Sequence, residues 1–63
     1  MPNTFRLGLN DASIEPEVFY SFQAALEFYE ENFQGGLELQ KADIEERDGE
    51  TDDTVAVTTI YES

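Results

Sequence analysis

The chain has 63 residues, with fifteen Asp and Glu against three basic residues, Arg6, Lys41 and Arg47, for a formal net charge of −12. It contains neither cysteine nor histidine, which excludes a disulfide framework, thiolate chemistry, imidazole general bases and ordinary zinc sites. A chain this short makes one domain, residues 1–63, and buries only about 60% of its unfolded surface. No segment approaches the roughly 20 apolar residues that span a bilayer. Met1-Pro2-Asn3-Thr4 lacks the basic run and following apolar stretch of a secretion signal, so a cytoplasmic location is expected. Eight aromatic rings, five Phe and three Tyr, argue for a packed core over disorder.

From the N-terminus, Phe5, Leu7 and Leu9 alternate with Thr4, Arg6 and Gly8, the period of a short strand. Asn10-Asp11-Ala12-Ser13 is turn chemistry, and Pro16 suits the first turn of a helix, with Glu15 and Glu17 favouring its positive end. Helical spacing then runs from about Glu17 to Asn32. Val18, Phe22, Ala25, Leu26, Tyr29 and Phe33 form one stripe with Phe19 at its edge, and Gly35-Gly36 follow as a stop. Tyr20, Ala24 and Phe28 lie off that stripe. Either one of them is partly buried, or they form an apolar contact strip rimmed by Glu27, Glu30 and Glu31.

A second strand is expected from Leu37 to about Arg47, with a bulge near Gln40-Lys41 where the apolar phase changes. Asp48 to Asp53 reads as a polar hairpin connection. Thr54 to Tyr61 reads as a third strand, rich in β-branched residues and without a charge. An uncharged strand suits a sheet centre and a charged one an edge. The expected fold is therefore α+β, a β-α-β-β chain with one helix packed on a three-stranded antiparallel sheet in the order 1-3-2. In that arrangement a right-handed crossover sets the first two strands parallel. The helix would cover Phe5, Leu7, Leu9, Leu37, Leu39, Val55, Val57 and Tyr61.

Catalytic patterns are missing. Gly35-Gly36 lacks the Lys-Ser/Thr of a phosphate loop, and Glu45 to Asp53 lacks the alternating oxygen ligands and glycine of a calcium loop. Paired carboxylates serve glycosidases, but those need a cleft that one helix on three strands does not offer. The chain reads as a non-enzyme without metal or cofactor.

What remains is the carboxylate pattern. A compact chain of this length has a diameter of roughly 27 Å, and that length of duplex DNA carries roughly 16 phosphate charges. The acids cluster as Glu27, Glu30 and Glu31 on the helix, then Glu38, Asp43, Glu45, Glu46, Asp48, Glu50, Asp52 and Asp53 around the hairpin. In size, charge and layout the chain resembles the acidic DNA-mimic inhibitors of phages, including small anti-CRISPR proteins that block DNA recognition by the Cascade surveillance complex. That resemblance implies a basic protein partner, a nucleic-acid-binding subunit of a host defence complex, engaged by these acids with Tyr20 and Phe28 as apolar anchors. It implies no direct nucleic-acid or membrane binding, and a monomer or homodimer. Two alternatives stand beside it: a halophile-type acidic housekeeping domain, and an antitoxin-like module binding a basic protein.

Overall fold

A computed structural model describes residues 1–10, 12–13, 18–33 and 38–63. The elements are β1 (Thr4–Leu9), β2 (Ala12–Ser13), α1 (Phe22–Asn32), β3 (Lys41–Arg47) and β4 (Thr54–Glu62). Asp11, Pro16, Gly35-Gly36 and Leu37, with the turn, cap and strand roles expected of them, lie outside the described residues.

The sheet runs β2-β1-β3-β4, with every neighbouring pair antiparallel. The α+β class, the single helix and the antiparallel sheet agree with expectation, but the strand order does not. The three long strands stand 1-2-3 in sequence order, not 1-3-2, with the charged strand β3 at the centre and the uncharged β4 at an edge. The first two long strands are antiparallel neighbours, Leu7 facing Ile44 and Leu9 facing Ala42. The reason is that one helix covers one face. A central strand under a single helical layer must be apolar only at alternate positions, and β3 meets that need with Ala42 and Ile44, both buried. Lys41, Asp43, Glu45 and Arg47 turn to the face away from the helix, and Glu46 alone of its charged residues shares the face of Ala42 and Ile44, opposite Phe5.

Leu7, Ala25, Tyr29, Ala42 and Ile44 form the buried core, flanked by Phe5, Leu9, Phe19, Leu26, Phe28, Phe33, Leu39 and Ile60. Helix α1 packs on β1 and β3. Val55 and Val57, expected beneath the helix, are each 56% exposed, and Tyr61 is also exposed. Val57 pairs with Glu45 on the face away from the helix. The bulge expected near Gln40-Lys41 is replaced by two register shifts between β3 and β4, which pass over Ile60 and Val55 of β4.

The helix begins at Phe22, later than the spacing predicts. Ser21 caps it, its hydroxyl accepting from the Ala24 amide at 3.0 Å. Just before, Phe19 exchanges two backbone hydrogen bonds with Phe5, at 2.8 and 2.9 Å, which holds that stretch extended against β1. Asn10, at φ 51°, closes the far end of β1. Its side-chain oxygen accepts from the amides of Gln40 and Lys41, and its amide group donates to the Glu38 carbonyl. Asn tolerates that left-handed backbone better than most residues.

Candidate functional site

Strand alternation sorts the charges. Ala42 and Ile44 face the helix, so Lys41, Asp43, Glu45 and Arg47 face away from it, and Arg6 pairs with Glu45 across the β1–β3 ladder. All three Lys and Arg residues of the chain therefore lie on the sheet face away from the helix. Arg47 binds Glu45 at 2.8 Å and Asp52 at 3.4 Å, while Lys41 stands 3.8 Å from Asp43. Thr54 donates to the second Glu45 oxygen at 2.7 Å. That hydrogen bond, followed by the one from Arg47, holds the Glu45 carboxyl below its ordinary value. Arg47 is correspondingly raised, chiefly by its hydrogen bond to Glu45.

The hairpin acids divide in two. Asp48 is structural: its carboxylate accepts from the Glu50 and Thr51 amides at 2.7 and 3.1 Å, which lowers its pKa. Gly49 donates its amide to the Asn3 side chain, and a side chain there would collide with the Pro2 carbonyl. Glu46 accepts from the Asn3 side-chain amide at 2.8 Å. Glu50, Asp52 and Asp53 are exposed at the tip, Glu50 lying 3.8 Å from the N-terminal ammonium.

On the other layer Glu27, Glu30 and Glu31 are exposed, and no Lys or Arg among the described residues stands against them. Glu38 is exposed before β3. Tyr20 is 71% exposed but precedes the helix, so it continues no helical strip. Phe28 is half-buried, its ring 5.3 Å from Phe19 and 5.8 Å from Phe33. Of the two readings of Tyr20, Ala24 and Phe28, the geometry matches the one with a partly buried member.

The structure therefore brings together Asp43, Glu45 and Asp52 with the cations, and keeps Glu27, Glu30 and Glu31 apart from them. The molecule measures 36 × 18 × 18 Å. Duplex DNA of that length carries about 21 phosphate charges, against the roughly 16 of a roughly 27 Å length. The fifteen carboxylates of the chain therefore come close to the DNA charge only for a compact sphere and fall short for the real shape. Sequence reasoning passed over the outer edge of β4 and Glu62 at its end. The uncharged run Thr54 to Tyr61 carries that signal, but a strand without charge suits a sheet centre equally well.

No protein-family model, curated protein or solved structure matches this chain. Among the described residues no helix is long and apolar enough to cross a membrane, and no group of three or more Asp or Glu side chains is placed to hold a metal ion.

Proposed function

We propose that this chain is a non-catalytic inhibitor that occupies a basic nucleic-acid-binding surface of a host defence protein in place of DNA, in the manner of anti-CRISPR proteins directed at Cascade. The observation that supports this reading is the segregation of charge. With the three cations gathered on one sheet face, the helix carboxylates Glu27, Glu30 and Glu31 project a field that no neighbouring cation cancels, and a basic groove is its natural complement. Tyr20, exposed beside the helix start, supplies an aromatic anchor of the kind that concentrates interface energy. Phe28 contributes through the ring cluster it braces.

The test is competition. Purified Cascade-type complexes are titrated with labelled target duplex in the presence of the chain, at low and moderate salt. Displacement of the duplex, weakened in the Glu27→Gln/Glu30→Gln/Glu31→Gln variant, is the expected outcome. A ternary complex of undiminished DNA affinity would overturn the mimic mechanism.

A further inference from the structure

The two long edges of a sheet present hydrogen-bonding groups to whatever lies beside them, and proteins normally blunt such edges with charge, proline, short strands or a covering segment. Strand β4 has no proline, no charge before Glu62 and, among the described residues, no covering segment, although register shifts at Val55 and Ile60 interrupt its pairing with β3. It runs nine residues, all exposed except Ile60. Val55 and Val57 stand open beside that edge. Carboxylates mark its two ends, Asp52 and Asp53 before the strand and Glu62 at its close.

We infer that the outer edge of β4 is a docking site for an extended, basic segment of a partner protein, which adds as a further strand. Ladder hydrogen bonds supply the affinity in strand addition and alternate side chains supply the selectivity. Here β-branched side chains would lie along Val55 and Val57. Lys or Arg at each end would meet Asp52 and Asp53 on one side and Glu62 on the other, about 30 Å apart at strand spacing. Charge complementarity decides against a second copy of this chain. A two-fold pairing through β4 is antiparallel and brings each surface patch onto its own equivalent. Asp52 and Asp53 of one molecule would then face Glu62 of the other at both ends, between bodies that each carry a charge of −12. The inference rests on the function proposed above for the sign of the partner's charge, and adds the backbone form in which that partner is held.

The probe is a synthetic peptide of about ten residues, with paired lysines at each end and alternating Thr and Val between them. Binding to the full chain is followed by calorimetry and by amide chemical shifts. Shifts confined to Thr54–Glu62 and their β3 neighbours are expected. A peptide of equal charge with alternate backbone nitrogens methylated should bind at least about tenfold more weakly, since it cannot complete the ladder. The Asp52→Asn/Asp53→Asn/Glu62→Gln variant should lose about tenfold for the parent peptide, and should self-associate at concentrations where the parent chain sediments as a monomer. Equal binding of the methylated peptide, shifts centred on the helix carboxylates, or a parent chain that dimerises through β4 at low salt would each overturn the inference. Loss of peptide binding with intact DNA competition removes this proposal alone. Peptide binding at the edge without DNA competition removes the mimic reading alone.

Discussion

The two edges of the sheet are built on opposite principles. At the β1 edge, the chain returns twice to cover its own backbone: β2 pairs with Gly8 and Leu9, and Phe19 exchanges hydrogen bonds with Phe5. At the β4 edge nothing among the described residues pairs with the outer side, and eight of nine residues are exposed. The β1 edge is closed by segments that precede the helix. The β4 edge follows a hairpin that turns the chain outward, beyond the two strands on which α1 mainly packs. The difference shows that a single helix and a few short returns suffice to protect two strands of a domain this small, and that a third long strand is left open.

The largest test of that contrast compares the centre with the open edge. Ile44→Ala, at a side chain only 1% exposed, should cost about 2–5 kcal/mol, a large part of the stability of a small domain. Val57→Ala should cost less than about 1 kcal/mol. Urea denaturation measures both, and equal losses would mean that Val57 is buried in solution. Hydrogen exchange then separates the edges. The Phe5 and Phe19 amides, bonded to each other's carbonyls, should exchange at least about a hundredfold slower than the outward-facing amides of β4, because unpaired edge amides need no opening event.

Asn10 tests how the closed side is pinned. Asn10→Ala removes an acceptor shared by two amides and leaves alanine at φ 51°, which should cost about 1–3 kcal/mol. Asn10→Gly removes the same bonds without the backbone strain. The difference between the two variants therefore reports the strain of alanine at that position, offset by the greater unfolded-chain entropy of glycine.

Acid titration probes the β3–β4 seam. Glu45 is held below its ordinary value of 4.5 by Thr54 and Arg47, and Asp48 below 3.8 by the Glu50 and Thr51 amides. A carboxyl with a depressed folded pKa contributes stability above its unfolded value and loses it as the pH falls through the folded one. Glu45→Gln should thus be less stable than the parent at neutral pH, with the gap closing on acidification below the ordinary carboxylate range. A gap that persists at the acid end would assign the loss to packing. The smallest effect is expected from salt. Raising it to about 0.5 M should lift the melting temperature by a few degrees through screening of like charge, whereas folding only in molar salt would support the halophile alternative.

Local signals made part of this molecule legible. The alternation of Phe5, Leu7 and Leu9 located β1, the stripe of Ala25, Leu26 and Tyr29 located the helix, and Asp48 with Gly49 located the hairpin. Each depends on residues close in the chain. The late helix start was hidden because Val18 and Phe19 fit helical spacing as well as they fit an extended stretch bonded to Phe5. Among the acids, Glu27, Glu30 and Glu31 were legible as an exposed row, but the roles of Asp48 as a turn former and Glu45 as an Arg47 partner needed the fold.

By itself the sequence determined an acidic α+β domain without cysteine or histidine, built from one helix and strands that pair antiparallel. Composition and short-range period are properties of the chain alone, so they survive any arrangement of the elements. Only the tertiary structure decided that β3 is central and β4 lies at the edge. An uncharged, β-branched strand satisfies either position locally. The choice turns on which strands the helix covers, and on whether the charges of β3 find partners on the open face. Arg6, from a distant part of the chain, provides one of those partners only once β1 lies alongside.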